Sequence, residues 1–220
     1  LLPNLPYKTP DAFAPVAQII TYAMGVAVHA GSSIQNIPDL VAYAKKNPGK
    51  VTTATSGEGS ATDLAAELFM AKTDTKITKI PYKGAGQGVL DVASGHVDML
   101  FTGMSQLKPQ LDGKRIRLIA TSGLQRLNSA PEVPTIAEQG YPGFEAVVWW
   151  AVLAPAGTPT EIIDKINAAL KTSLAHPEVG RRLAVIDGVV KVSSPKEFDT
   201  FLRSEIDIWR RLLKPSTSNK

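Results

Sequence analysis

The stretch Val51-Thr-Thr-Ala-Thr-Ser-Gly-Glu-Gly-Ser-Ala-Thr-Asp-Leu-Ala-Ala-Glu-Leu-Phe69 decides the fold class of this chain. Its β-branched beginning, residues 51–55, predicts a short strand. Two glycines in the Ser56-Gly-Glu-Gly59 segment that follows permit tight backbone geometry. Ser60 is placed to cap a helix, and Asp63 follows three residues later as an acidic variant of the capping box. The stretch therefore predicts a strand, a Gly/Ser loop and a helix in direct succession.

A helix that begins directly after such a loop presents backbone N–H groups that have no intrahelical acceptor. The helix dipole adds partial positive charge at the same place. We therefore predict a site for a small anion, such as a carboxylate. The alternative is an ordinary strand-to-helix turn that binds nothing, because such turns recur throughout α/β folds.

The composition indicates a globular protein with a substantial core, since 44% of the 220 residues are hydrophobic and 20% are charged. The net charge of +4 is spread along the chain, without the basic and aromatic patch of a nucleic-acid-binding protein. Cysteine is absent, which excludes disulfides and thiolate chemistry. No apolar run has the length of a membrane span. The beginning, Leu1-Leu-Pro-Asn4, has neither a start Met nor a basic leader, so we expect a processed or shortened chain.

The same strand–helix pattern continues beyond residue 69. Three further strands are predicted over residues 76–82, 97–102 and 116–121. The helices between them are predicted over residues 87–94 and 105–111. This βαβαβαβ order at short spacing is typical of a mainly parallel sheet with helices on its faces.

The pattern changes after Ser122. Residues 123–143 are rich in Pro and Gly and predict a connecting loop. Residues 144–153 are apolar on both faces, which predicts a central strand of a covered sheet. Helices are expected to begin near Pro159, Pro177 and Pro195. The polar end, residues 214–220, predicts a frayed terminus.

Little in the sequence supports catalysis or metal binding. The three histidines are not at metal-ligand spacing; they are His29, His96 and His176. Ser56 lacks a G-x-S-x-G context, and the glycines at 84, 86 and 88 do not form a dinucleotide fingerprint. We therefore predict no enzyme activity, no cofactor and no metal. The enzyme alternative would use Ser56 or Asp98.

A second strand-to-helix loop, Pro81-Tyr-Lys-Gly-Ala-Gly-Gln87, completes the predicted binding site. Ligands of α/β sheets lie at the carboxyl ends of strands, so we expect both loops to face one crevice. Lys83 is placed to donate a charge-assisted hydrogen bond to an anion, with a solvated loop lysine as the alternative. Tyr82, Trp149 and Trp150 are candidates for a pocket wall, with core or rim positions as the alternative.

Several short stretches together resemble one family. They are Leu5-Pro-Tyr7, Phe13-Ala-Pro-Val16, Thr55-Ser-Gly-Glu-Gly-Ser60, Leu64-Ala-Ala-Glu-Leu-Phe69, Pro81-Tyr-Lys-Gly-Ala-Gly86, Gly95-His-Val-Asp98, Arg117-Leu-Ile-Ala-Thr-Ser122, Pro131-Glu-Val-Pro-Thr135, Gly140-Tyr-Pro-Gly143, Trp149-Trp150 and Leu153-Ala-Pro-Ala-Gly-Thr-Pro159. In this order they resemble the Bug family of periplasmic solute-binding proteins, the binding components of tripartite tricarboxylate transporters.

The resemblance implies a two-lobed, Venus-flytrap α/β fold that closes on a small carboxylate, in the periplasm, without catalysis. Residues 16–122 would be the second lobe. Residues 1–15 and 123–220 would be a connector and the C-terminal part of the first lobe. The segment that begins the first lobe in the family is not in this sequence, so that lobe is expected to be incomplete. Membrane transporter subunits would be the partners.

The resemblance also implies ligand contacts from both loops. The implied contact residues are Thr55, Ser56, Gly57, Gly59, Ser60, Ala61, Lys83, Gly84 and Gly86. Glu58 and Asp63 depart from the family pattern, which often has Asn and His there. Two acids beside an anion site repel a carboxylate. A neutral or zwitterionic solute, such as an amino acid or a nicotinamide-like molecule, is therefore one alternative, and a sensor lobe that docks a membrane partner is another.

Overall fold

The computed structural model describes residues 6–212. The start of the predicted connector and the polar end at 214–220 lie outside these residues. The described strands are β1 (Phe13–Ala23), β2 (Gly25–His29), β3 (Thr52–Thr55), β4 (Thr78–Pro81), β5 (Met99–Thr102), β6 (Ile116–Thr121), β7 (Val147–Pro155) and β8 (Val189–Val190). The described helices are α1 (Ile37–Lys46), α2 (Ala61–Thr73), α3 (Ala85–Ala93), α4 (Met104–Asp112), α5 (Thr160–Leu174), α6 (Pro177–Ala184) and α7 (Pro195–Leu212).

The chain forms two compact units. The first unit contains the described residues up to Thr21, residues Trp149–Leu183, and the described residues from Val189 onward. The second unit contains Tyr22–Val148 and Ala184–Gly188. These bounds differ from the expected 16–122 mainly at the C-terminal side, where residues 123–148 belong with the second unit.

Residues 123–148 join the second unit through specific contacts. Thr135 forms a parallel bridge with Thr121 at the end of β6. The N–H group of Ala146 donates to the carbonyl of Ser122 at 2.8 Å, and the Ser122 hydroxyl donates to the Ala146 carbonyl at 2.6 Å. The ring of Phe144 packs edge-on against Phe69, 6.3 Å away. This Pro- and Gly-rich segment is therefore bonded into the unit along its length.

A five-stranded sheet with the order β4-β3-β5-β2-β6 forms the centre of the second unit. Strand β3 is parallel to β4 and β5, while β2 is antiparallel to both β5 and β6. The four strands of the predicted βαβαβαβ run thus share one direction, as expected. The opposite direction of β2 was not predicted. Strand β2 follows β1 after the single residue Met24, so no crossover helix sets its direction.

The helices of the second unit pack closely on this sheet. Phe69 of α2 lies 5.9 Å from Phe101 of β5 between ring centroids. A Cβ atom at Gly88 would lie 2.8 Å from the Cβ of Ala54, so α3 approaches β3 at a distance that requires glycine. Because β3 and β4 are parallel, the loops that follow them leave the same edge of the sheet.

The first unit contains a three-stranded sheet with the order β7-β1-β8. Val16, Ala154 and Ile163 form its buried cluster. Asn167 of α5 donates from its side chain to the carbonyls of Val16 and Ser193. Among the described residues, strand β7 pairs only with β1 and so lies at the edge of this sheet, although its apolar pattern is typical of a central strand. Ala154 of β7 is buried, whereas the other residues of the strand are half-buried or exposed.

Candidate functional site

The first loop begins α2 as the sequence predicts. The Ser60 side chain accepts a hydrogen bond from the N–H group of Asp63 at 3.3 Å. The Asp63 carboxylate accepts from the N–H group of Gly59 at 2.9 Å. The predicted acidic capping box is therefore present, with the acid bonded one residue further back than the cap itself. Gly57 and Gly59 have φ angles of +106° and +72°, which explains the two glycines in this loop.

Thr62 has a role in the first loop that the sequence pattern did not predict. Its hydroxyl is buried and accepts a hydrogen bond from the N–H group of Ser56 at 2.8 Å. The same oxygen lies 3.0 Å from the Ser60 hydroxyl. Its position, two residues after the predicted N-cap Ser60, could have predicted this role, because the hydroxyl of a threonine there can reach the backbone of the preceding loop.

Some backbone N–H groups of the loop bond within the loop, and others remain available. Ser56 and Gly59 donate to Thr62 and Asp63, and Ser60 donates to the carbonyl of Gly57 at 3.2 Å. Within residues 6–212, the loop N–H groups without an acceptor are those of Gly57, Glu58, Ala61 and Thr62. The last two lie in the first turn of α2, where the helix dipole favours an anion.

The two acids of this loop have different surroundings. Asp63 is 4% exposed, and its carboxylate lies 2.8 Å from the ammonium of Lys79 on β4. Lys79 also contacts Glu67. Burial alone would lower the pKa of Lys79, but its hydrogen bonds to Asp63 and Glu67 outweigh that effect and raise the pKa. Glu58 is exposed, and the described residues provide it with no ion pair. Since Lys79 neutralises Asp63, Glu58 is the acid of this loop from which we expect repulsion of a carboxylate ligand.

The second loop also ends at a helix start, but this helix, α3, has no side-chain cap. Gly84 is the N-cap of α3 and has a φ angle of +128°. In the described part of the chain, the N–H groups of Ala85 and Gly86 have no acceptor. Lys83 is exposed, and no described ion pair includes it. This loop therefore offers a second group of donors and a cation.

Tyr82 anchors the second loop. Its hydroxyl donates to Asp91 of α3 at 2.6 Å. Burial, followed by this hydrogen bond, raises the pKa of Tyr82 to about 12. The hydrogen bond from Tyr82 is also the main cause that lowers the pKa of Asp91. Tyr82 packs against the core of the second unit.

The two loops meet at the carboxyl edge of the sheet. The N–H group of Tyr82 donates to the carbonyl of Thr55 at 2.8 Å. A Cβ atom at Gly57 would lie 3.9 Å from the carbonyl oxygen of Tyr82. The gap beneath the two loops is too small for a water molecule and is lined by Thr55, Ser56, Thr62, Ala85 and Gly88 among others. The structure thus brings both predicted loops together within the second unit.

Other candidate residues have structural partners. The Asp98 carboxylate accepts from the backbone N–H and the hydroxyl of Thr52, at 2.7 and 2.8 Å, so it joins β3 to β5. The Trp149 indole donates to Glu205 at 3.2 Å and packs against Phe198 and Phe201, all in the first unit. Trp150 is 47% exposed. Among the described residues, no group of three or more acidic or histidine side chains could hold a metal ion.

A wider cavity of about 810 Å³ lies elsewhere in the second unit. Its walls include Met104, Leu111, Val133, Lys108, Lys114 and Arg117. None of the predicted ligand contacts lines it. No helix in the part of the chain that the structure describes is long and apolar enough to cross a membrane.

The model of one protein family matches residues 1–217, and its description is the tripartite tricarboxylate transporter family receptor, TctC. The chain belongs to the TctC family. The resemblance to the Bug proteins is thereby confirmed, because BugT of Bordetella pertussis is 30% identical over 214 residues. A Pseudomonas sp. strain P51 protein, encoded in the tcbD–tcbE intergenic region, is 32% identical over 212 residues.

These TctC-family relatives are longer than the chain. The matches cover 97% and 96% of this chain but 66% and 63% of BugT and of the Pseudomonas protein. The chain therefore spans slightly less than two thirds of the length of these relatives.

Solved structures confirm the predicted α/β fold. The R. palustris protein Rpa4515, solved with adipate, matches with a TM-score of 0.83 and 30% identity, over 96% of this chain and 70% of its own. The periplasmic binding protein BugD matches with a TM-score of 0.80 and 26% identity, over 94% and 70% of the two chains. The TctC family to which the chain belongs is thus a family of periplasmic solute-binding proteins.

Proposed function

We propose that this chain holds the carboxylate-binding loops of a periplasmic solute-binding protein that captures a small carboxylate for a tripartite tricarboxylate-type transporter. The observation that carries the proposal is a set of N–H groups in the first turn of α2 and the loop before it that have no acceptor among the described residues, those of Gly57, Glu58, Ala61 and Thr62. Family membership and the adipate of a 30% identical relative support the same ligand class.

The proposed contacts fall into three kinds. Gly57 and Ala61 offer backbone N–H groups, and Ser60 with Thr62 offers a hydroxyl proton. Three residues shape the loop through their backbone hydrogen bonds. The carbonyl of Thr55 accepts from Tyr82, and the N–H groups of Ser56 and Gly59 donate to the side chains of Thr62 and Asp63, respectively. The second loop adds the N–H groups of α3 and the ammonium of Lys83. We propose Gly84 and Gly86 as positions where only backbone approaches the ligand.

We further propose that the second unit is the family's second lobe, that the protein acts in the periplasm and that membrane transporter subunits receive the ligand. Binding without catalysis is part of this proposal. It is supported by the bonding of Asp98 to Thr52, which gives that carboxylate a structural role in the sheet.

A neutral or zwitterionic solute is the second candidate ligand. The exposed Glu58 favours it, because this carboxylate lies in the loop itself and has no described ion pair. An ammonium group on the ligand would be attracted to Glu58, while the ligand carboxylate bonds to the N–H groups of α2.

Calorimetry with adipate tests the proposal. We expect Gly59→Val to weaken binding by about 1–3 kcal/mol, because the φ angle of +72° does not suit valine and the loop donors move out of place. Gly180→Ala is the matched control, since a Cβ there meets no atom of the described residues within 4 Å. Equal affinity of a folded Gly59→Val protein and the control would contradict the proposed site.

A further inference from the structure

We infer that Lys79 and Asp63 form a positioning pair for the carboxylate site. Lys79 neutralises Asp63, and Asp63 holds the N–H group of Gly59, so the loop is fixed before a ligand arrives. The inference rests on the proposed function for its ligand, but the pair itself can be tested without one.

Asp63 uses both carboxylate oxygens. Oδ2 accepts from the N–H group of Gly59 at 2.9 Å, and Oδ1 lies 2.8 Å from Nζ of Lys79. Lys79 belongs to β4, whereas Asp63 is in the first turn of α2. The carboxylate therefore connects the loop after β3 to the neighbouring strand.

The burial of Asp63 makes this pairing necessary. The residue is 4% exposed, and a buried carboxylate is costly unless it is paired and hydrogen-bonded. The side chain of Lys79 is 29% exposed, so its ammonium can reach the carboxylate without full burial. The ion pair thus allows an acid to occupy the first turn of α2.

Asp63 competes with a ligand in one respect and assists it in another. It occupies the Gly59 N–H group, which a ligand carboxylate would otherwise use. In return it holds Gly59 at its left-handed φ angle, which places the next residues at the start of the helix. A ligand then meets ordered donors at Ala61 and Thr62 and avoids the cost of ordering the loop.

Lys79 also offsets the negative charge of two carboxylates, those of Asp63 and Glu67. Without Lys79, the carboxylates of Asp63 and Glu67 would both remain close to an anion site and repel its ligand. Lys79 therefore makes the acidic first turn of α2 compatible with a carboxylate. This explains how Asp63 is accommodated at a position where its charge alone opposes binding.

Three variants separate positioning from general stability. Lys79→Met removes the ammonium and keeps most of the side-chain length. Glu67→Gln is the matched control, because it removes the other carboxylate next to Lys79 and leaves the contact with Asp63. The double variant Asp63→Asn with Lys79→Met removes both charges and keeps an amide oxygen for Gly59.

The ligand-free readout is hydrogen exchange of the Gly59 amide, followed by NMR on the full chain. We expect exchange at least about tenfold faster in Lys79→Met, because the charge-assisted hydrogen bond loses its support, and unchanged in Glu67→Gln. Faster exchange confined to Lys79→Met supports the pair even if the wild type does not bind adipate, a result that would count against the proposed function alone. Unchanged exchange in Lys79→Met overturns the inference.

The adipate readout tests the charge. We expect Lys79→Met to bind adipate at least about threefold more weakly than the wild type, and the double variant to recover most of that loss. A merely structural role of Lys79 predicts that the double variant binds as weakly as Lys79→Met or more so. That outcome would overturn the charge part of the inference.

Discussion

The hydroxyl oxygens of Ser60 and Thr62 lie 3.0 Å apart, and either can donate to the other. The N–H group of Asp63 donates to the first oxygen and that of Ser56 donates to the second. Whichever hydroxyl donates, one of the two protons is used between them and the other remains. The pair therefore retains one O–H donor next to the N–H groups of Ala61 and Thr62, which have no acceptor in the described part of the chain.

We expect Thr62→Val to weaken both the fold and the site. The N–H group of Ser56 would lose its acceptor, and the free energy of unfolding should fall by about 1–2 kcal/mol. Adipate affinity should fall as well, because the loop loses the hydrogen bond between Ser56 and Thr62 that holds it in place. Urea unfolding and calorimetry measure the two effects. Thr172→Val on α5 is the control, since this residue is exposed and its hydroxyl donates to the carbonyl of Ala168 within the same helix. Equal effects of the two substitutions would contradict the assigned role of Thr62.

We expect Glu58→Gln to tighten the binding of adipate by about two- to fivefold, because an exposed carboxylate in the loop repels an anion. The gain should be larger at low ionic strength, where screening is weaker. Calorimetry at two salt concentrations measures it, with the exposed Glu132→Gln as the control. Weaker binding of a zwitterionic amino acid after Glu58→Gln, without tighter binding of adipate, would favour the alternative ligand class.

We expect ionisation of Tyr82 to lower the stability of the folded protein in alkaline solution. Its pKa is about 12 in the folded protein against 10.0 for an ordinary tyrosine, so the stabilisation is present below pH 10 and is lost as the pH rises through about 12. We expect the free energy of unfolding to fall more steeply between pH 10 and 12 in the wild type than in Tyr82→Phe. Tyr43→Phe, at an exposed tyrosine, should behave like the wild type. Parallel pH profiles of the wild type and Tyr82→Phe would show that the Tyr82–Asp91 bond does not have this effect.

We expect this chain to self-associate through the exposed edge of strand β7. It lies at the edge of its sheet and carries Trp150 and Leu153, which are 47% and 40% exposed. Exposed apolar edge strands favour pairing between molecules. We expect light scattering to show an apparent mass that rises with concentration, and Leu153→Lys to reduce that rise. Leu124→Lys, at an exposed leucine of the second unit, should not. A monodisperse monomer at all concentrations would refute the prediction.

Local patterns predicted the elements of the second unit well. The β-branched run before Ser56, the cap at Ser60 and the repeated strand–helix order each depend on residues close together in sequence, where propensity and capping act. The meeting of the two loops also followed from the sequence, because parallel neighbouring strands place their carboxyl ends at one edge.

Contacts between distant residues could not be predicted in this way. Asp63 on a helix pairs with Lys79 on a strand. The sequence shows no basic partner close to Asp63, so the pattern of charges alone indicated an acid without a partner. The position of β2 between β5 and β6, and the bonding of Ala146 to Ser122, likewise depend on tertiary packing. Strand β7 has the apolar pattern of a central strand, yet its neighbours in space, which periodicity does not specify, place it at an edge.

An NMR titration of the ¹⁵N-labelled chain with adipate shows whether the loop before α2 binds a carboxylate. We expect saturable shifts of the backbone amides of Gly57, Ala61 and Thr62, with smaller shifts at Ala85 and Gly86, and none in a Gly59→Val protein. Shifts centred instead on the cavity near Lys114 and Arg117, or no shifts in the loop that precedes α2, would contradict it.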